Sequence, residues 1–300
     1  MASAPEVRLA VASAALLGES PVWHPRENAL YYADIPGHKL QRFDPASGEL
    51  RHWEFDTDVA SLAPRLDGTL LLAMRDGLWV FDPVSGERER VAKPPYDPAN
   101  ERFNDGKCDP QGRFWVGTIY EPRDPPLASL HSFEKGELVK RAEGFTVTNG
   151  LAWSPNGRTM HWSDTTSHTI FAADFDPASG TLSRRRVFAS FPVKQAGQSL
   201  ASYGGRPDGA AMDAEGCYWV AMFEGQRLLR LSPEGEIVQE VDLPVRCPTM
   251  PCFGGPNLKT VYVTTARANR PAVELIAQPW AGCVLALDVE VPGLPVNFAV

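Results

Sequence analysis

Six times along the chain a turn is followed by a short apolar run, usually carrying an aromatic residue. The six runs lie at residues 30–34, 70–74, 114–117, 160–164, 218–221 and 261–264. Matching second runs at residues 39–45, 77–83 and 169–177 end in Asp-Pro and lead into turns of the type Asp-Pro-x-Ser-Gly. Apolar and polar positions alternate in these runs, the pattern of strands with one packed face. The copies recur every ~40 to ~57 residues, in or just above the spacing of propeller blades. Almost no stretch has the length and apolar stripe of an amphipathic helix. A unit of about four short strands written six times predicts an all-β fold, a six-bladed β-propeller closed around a central channel, with residues 1–300 as one domain. A β-sandwich, the competing architecture, does not explain six near-equivalent copies.

Each copy also has a lead-in segment that aligns with the others. These are Gly18-Glu19-Ser20-Pro21-Val22-Trp23, Ala60-Ser61-Leu62-Ala63, Phe103-Asn104-Asp105-Gly106, Thr148-Asn149-Gly150-Leu151, Pro207-Asp208-Gly209-Ala210 and Pro248-Thr249-Met250-Pro251. Equivalent positions of a propeller lie on a ring about its axis. If the innermost strands begin here, Glu19, Asn104, Asn149 and Asp208 face one another at one mouth of the channel. Asn-Gly and Asp-Gly are also ordinary turn dipeptides, because both tolerate positive φ. Glu19 is neither a good turn former nor followed by Gly, yet it stands at the same register.

Composition fits this picture and narrows the partners. The chain has 25 Gly and 27 Pro among 300 residues, about 17% against roughly 12% in an average protein, which favours turns and short strands. A net charge of −8 with no block of Lys and Arg argues against nucleic acid or an anionic membrane as a main partner, and for a neutral or small polar ligand. The five cysteines are irregularly spaced, without a C-x-x-C pair, and read as free thiols in a reducing compartment. Residues 9–17 are the only candidate targeting segment; the run is short and its basic flank is Arg8 alone, so a cytoplasmic protein is expected. Nothing in the sequence demands assembly beyond a monomer or weak homo-oligomer.

A Glu, an Asn and an Asp without His or Cys make a hard oxygen set, suited to Ca²⁺, Mg²⁺, Mn²⁺ or a similar divalent cation with open positions. Such a site polarises a carbonyl while Asp208 takes a proton from an attacking water, which is ester or lactone hydrolysis. A nucleophilic serine is disfavoured, since Gly197-Gln198-Ser199-Leu200-Ala201 lacks the second Gly of a G-x-S-x-G elbow. The six histidines read as surface or packing residues, and no glycine-rich phosphate fingerprint is present.

Gly18-Glu19-Ser20-Pro21-Val22-Trp23, Arg102-Phe103-Asn104-Asp105-Gly106-Lys107, Gly112-Arg113-Phe114-Trp115-Val116-Gly117-Thr118, Thr148-Asn149-Gly150-Leu151 and Pro207-Asp208-Gly209 together resemble the motifs of the SMP-30/gluconolactonase/regucalcin family. Residues 252–265 are similar to the last blade of its bacterial sugar lactonases. The resemblance implies a six-bladed propeller with one divalent cation (Ca²⁺, Mg²⁺, Mn²⁺, Zn²⁺ or Fe²⁺) on the axis. Glu19, Asn149 and Asp208 would hold it, Asp208 would also transfer the proton, and Arg102 and Asn104 would hold a sugar lactone. Glu121 stands about one residue earlier than a substrate-contacting Glu of regucalcin-type members and is a further candidate for substrate binding. The expected activity is hydrolysis of a glucono-, xylono-, arabinono- or galactonolactone in carbohydrate catabolism. An organophosphate or aryl esterase on the same propeller, and a non-catalytic calcium- or sugar-binding protein, are the alternatives. Residues 121–132, 193–206 and 267–281 are longer than simple turns, and the first two are candidate rims over the pocket.

Overall fold

Six four-stranded antiparallel sheets make up the protein, a computed structural model that describes residues 5–300. Five blades are built from consecutive strands, and each begins with the strand nearest the axis. These inner strands are Gly18–His24, Val59–Pro64, Glu101–Cys108, Thr148–Trp153 and Arg206–Met212 in blades one to five. The sixth blade runs Pro248–Gly254, Thr260–Thr265 and Val284–Asp288, and its outer strand is Arg8–Val11 from the other end of the chain. Arg8 pairs with Ala286 and Leu9 with Leu285, and the Arg8 guanidinium grips Asp288 at 2.9 and 3.0 Å. Residues 9–17 thus begin with the strand that closes the ring. Among the described residues helix is confined to Ala272–Ala277 and one short 3₁₀ turn, and none of it is long and apolar enough to cross a membrane.

The core is divided into six wedges, one between each pair of neighbouring blades. Side chains of a strand alternate between the two faces of its sheet, so in the second strand of blade one Tyr31 and Ala33 pack against blade two, while Leu30 and Tyr32 pack against blade six. In blade five Tyr218 and Val220 face blade four, and Trp219 and Ala221 face blade six. The strands Ala29–Asp34 and Leu70–Met74 are buried at every position. The alternation read from the sequence as one packed face therefore corrects to two packed faces, with the polar residues of the pattern supplied mainly by outer strands such as Leu50–Glu54 and Arg88–Ala92.

Every inner strand carries one extra residue relative to its neighbour at the same height. Glu19 pairs with Ala33 but Val22 with Tyr31, and Asn149 pairs with Ser163 but Ala152 with His161. Equivalent shifts fall between Val59 and Ser61, Phe103 and Gly106, Pro207 and Ala210, and Pro248 and Met250. Such bulges break the ladder locally and re-aim side chains. At two of them the backbone is left-handed: Ser20 at φ 48° and Gly150 at φ 65°. At Gly150 there is also no room for a side chain, since a Cβ would sit 2.2 Å from the Tyr218 hydroxyl, which donates to the Gly150 carbonyl at 2.6 Å.

Gly150→Ala combines a disfavoured φ with that clash, so a loss of roughly 2–4 kcal/mol in denaturant unfolding is expected; unchanged stability would refute the close packing of blades four and five. A second expectation concerns pH. His131 and His161 are buried, and their pKa values are pulled down to about 4 by burial, with smaller contributions from Lys140 and Arg186 respectively. The unfolded chain binds protons at about 6.5. Stability is therefore full above that pH and is lost as pH falls toward 4, at up to ~1.4 kcal/mol per pKa unit for each histidine. Urea midpoints measured from pH 7 to 4 should fall less steeply for His161→Phe than for the wild type.

Candidate functional site

The bulges turn four side chains toward the axis at the mouth where the inner strands start. Glu19, Asn104, Asn149 and Asp208, from blades one, three, four and five, are all buried there. Arg102 is buried beside them, two residues before Asn104 on the same strand. A single directed chain of hydrogen bonds links four of the five. Arg102 Nη1 donates to Asn104 Oδ1 at 2.8 Å, Asn104 Nδ2 to Asn149 Oδ1 at 2.6 Å, and Asn149 Nδ2 to Asp208 Oδ1 at 2.6 Å. Asn104 Nδ2 also reaches the Thr148 carbonyl, and Asn149 Nδ2 the Thr165 hydroxyl. Cationic at one end and acidic at the other, the chain fixes the rotamers of both amides.

Glu19 is close enough to Asp208 for their charges to couple, and its Oε2 accepts from the Ser20 backbone at 3.1 Å. Neither carboxylate is in an ion pair among the described residues. Burial pushes the Glu19 carboxyl up, and the charges of Asp208 and Asp105 add to it. Burial also raises Asp208, reinforced by Asp105 and opposed by Arg206 and Arg102. Two half-satisfied carboxylates crowded out of water are a deficit of positive charge. Together with the second lone pair of the Asn149 carbonyl oxygen they are donors a hard divalent cation fits. No cluster of three His, Cys, Asp or Glu side chains occurs among the described residues, so an amide must complete any such set.

Glu121 lies at the rim, 40% exposed at its side chain. Arg75 holds it with contacts of 3.0 and 2.8 Å, and Arg102 Nε stands 3.8 Å away. Arg75 in turn binds Asp58 at 2.7 Å, so Glu121 belongs to an ion-pair network that backs Arg102. Three participants were not read from the sequence. Asp105 reads in Asn104-Asp105-Gly106 as turn chemistry, yet it is buried, its Oδ2 accepts from the Leu151 backbone at 2.9 Å, and its Oδ1 has no partner among the described residues. Arg75 and Thr165 lie outside the aligned segments and carried no signal.

The far ends of the same strands form a separate cavity of about 410 Å³ at the other mouth, walled by residues such as Trp23, Pro64, Trp153 and Phe253 with Lys107 among them. None of the predicted site residues lines it. Of the inserted segments, residues 267–281 pack sideways: Arg270 binds Glu274 and Glu224, and Trp280 lies against the core between blades five and six. All five cysteines are free thiols.

Comparison with known proteins agrees with this architecture along nearly the whole chain. The chain is 40% identical over 290 residues to a 6-deoxy-6-sulfogluconolactonase of Pseudomonas putida, spanning 96% of each protein. It is 35% identical to regucalcin of Gallus gallus, spanning 93% of each. The crystal structure of a calcium-binding protein, regucalcin, from Agrobacterium tumefaciens superposes with a TM-score of 0.90 at 26% identity, covering 99% of this chain and 97% of that one. The family description SMP-30/gluconolactonase/LRE-like region matches residues 17–267. The chain belongs to the SMP-30/gluconolactonase/LRE-like family, and its ring of polar side chains sits on that family's six-bladed propeller.

Proposed function

We propose that the protein is a metal-dependent sugar lactonase that opens an aldonolactone, of the glucono-, xylono-, arabinono- or galactonolactone type, to the sugar acid. The observation that carries this reading is the directed chain from Arg102 to Asp208, ending at two buried carboxylates without counter-ions. The sugar-lactonase class is supported by the similarity to the Pseudomonas putida sulfogluconolactonase. Glu19, Asn149 and Asp208 would hold one divalent cation, which supplies positive charge to the lactone carbonyl oxygen.

The remaining work falls to the chain's own groups. Asp208 has one oxygen committed to Asn149 and the other open to solvent or substrate. Its second carboxylate oxygen suits it to accept the proton of the water that attacks the carbonyl carbon, and to return a proton to the ring oxygen as the C–O bond breaks. Arg102 uses Nη1 on Asn104 and the Phe103 carbonyl, and presents Nη2 to a sugar hydroxyl or ring oxygen. Glu121, itself held by Arg75, stands 3.8 Å from Arg102 Nε and steadies its guanidinium. The polar ring and Arg102 favour a sugar over an aryl ester.

Three outcomes are expected. Asp208→Asn should reduce lactone turnover by about 10²–10⁴-fold while its thermal unfolding stays near that of the wild type; activity within a few-fold of wild type removes Asp208 from the mechanism. Acid release from a panel of aldonolactones, followed with a pH indicator, should vanish after chelation and return when a divalent cation is restored. Glu19→Gln should then need far more cation for the same rate. Calcium binding in calorimetry with no lactone hydrolysed would instead favour a binding protein.

A further inference from the structure

Blades one and four build the mouth end of their second strands in the same way, residue for residue. Asp34 and Asp164 close the strands Ala29–Asp34 and Thr159–Asp164. Asp34 accepts from the backbone of Leu16 and Leu17 at 3.1 Å each, and Asp164 from that of Thr146 and Val147 at 3.3 and 3.1 Å. The next residue donates its backbone N–H to the chain entering the inner strand, Ile35 to the Leu17 carbonyl at 3.1 Å and Thr165 to that of Val147 at 3.0 Å. Three residues on, His38 and His168 are left-handed, φ 53° and 56°, and their carbonyls accept from the backbone of Phe55 at 2.9 Å and Phe191 at 3.0 Å. The two turns stand beside equivalent ring residues, since Glu19 pairs with Ala33 and Asn149 with Ser163, each one place before the aspartate.

One side chain separates the turns. Where blade one has Ile35, blade four has Thr165, and both are buried. The shared backbone therefore forms without a hydroxyl. The Thr165 hydroxyl accepts from Asn149 Nδ2 at 2.8 Å and makes no other hydrogen bond among the described residues. The neighbouring ring residues account for the difference. Either oxygen of the Glu19 carboxylate serves a hard cation, whereas an amide presents one oxygen and one nitrogen of nearly the same shape, and only the oxygen serves. The direction of the Asn149 amide is set from Arg102, which can only donate. Asn104 Oδ1 accepts from Arg102 and Asn104 Nδ2 donates to Asn149 Oδ1, so both protons of Asn149 Nδ2 need acceptors. One acceptor is Asp208 Oδ1 at 2.6 Å, on a carboxylate that the cation also draws on. The other is Thr165, for which the cation does not compete.

We propose that Thr165 is a positioning residue that holds the Asn149 amide with its oxygen toward the axis and thereby sets the affinity of the ring for its divalent cation. The inference rests on the metal-dependent reading of the site and deepens it. Without the hydroxyl, one buried N–H has no acceptor, and the amide is held on one side only, by a group that the cation pulls on. Removing a partner that orients a metal ligand from behind typically weakens metal binding or activity by about 10–100-fold.

The test is calorimetric titration of chelator-stripped protein with Ca²⁺, Mg²⁺, Mn²⁺ or Zn²⁺ in the absence of lactone. It compares wild type with Thr165→Val, Thr165→Ala, Thr165→Ser and, as a control, Thr166→Val at the exposed threonine of the same turn. Thr165→Val keeps the shape and removes the acceptor, so its Kd should rise about tenfold or more. Thr165→Ala, which adds no methyl to a buried place, should show the same loss. Thr165→Ser restores the hydroxyl and should stay close to the wild type, as should Thr166→Val. The metal-free unfolding temperature of Thr165→Val should lie near that of the wild type, since Ile35 occupies the same turn, while the rise produced by a fixed cation concentration should shrink. Equal cation affinity in wild type and both hydroxyl-free variants, or an equal loss in Thr165→Ser, overturns the role of the hydroxyl while the metal reading stands. A wild type that binds none of these ions overturns both. Cation binding that depends on Thr165 with no lactone hydrolysed supports the inference while the lactonase assignment falls.

Discussion

The site depends on a backbone irregularity repeated around the ring. Each of the six inner strands is one residue longer than the stretch of second strand it pairs with, always at the same height. A regular strand in that place would send alternate side chains into the wedges on either side and leave nothing aimed along the axis. The bulge breaks that alternation for a single step. Glu19, Asn104, Asn149 and Asp208 use that step, while the corresponding segments of blades two and six carry Ser61 and Thr249. Bonds between blades fix its height: Thr249 donates to the Gly18 carbonyl, Ser163 to that of Asp208, and Tyr218 to that of Gly150. The left-handed Ser20, a conformation that costs a residue with a Cβ about 1 kcal/mol or more, shows that the fold holds strain where Glu19 must turn inward.

Charge is distributed about this mouth in two layers. The lower layer holds buried oxygen groups whose carboxylates lack counter-ions, and the rim holds arginines paired with carboxylates, Arg75 with Asp58 and Glu121 and Arg206 with Glu224. The network of Arg75, Asp58 and Glu121 surrounds Arg102 so that its guanidinium is braced from outside and spent on Asn104 from inside.

Much of this was legible in the sequence because a propeller writes its geometry as repetition. Six aligned lead-ins gave the register of the ring, and register alone brings Glu19 within reach of Asp208 across nearly two hundred residues. What did not repeat stayed hidden. Arg8–Val11 reads as an unremarkable apolar stretch because its partner strand lies at the other end of the chain. Asp105 was masked by its own dipeptide, since Asp-Gly is a sufficient reason for a turn. Arg75 sits in a connection whose conformation no local pattern dictates, and the two-sided burial of the second strands was obscured by polar residues that belong to blade edges. Glu121, one position out of register with the family pattern, still reaches the neighbourhood of Arg102 because it lies at the end of a strand paired with that residue's own strand.

The ring is sealed by a salt bridge between residues 280 positions apart, Arg8 and Asp288. During synthesis the first strand therefore has no partner until almost the entire chain has left the ribosome. Blades one to five contain all their own strands and can form in order, but the wedge between blades six and one, with Trp23 and Tyr262 stacked 5.8 Å apart, has to wait. Glu19 lies beside that seam, next to the Gly18 carbonyl that Thr249 holds. A growing chain with five finished blades would thus still lack one fixed side of its mouth, and chemistry begins only with the act that joins its two ends.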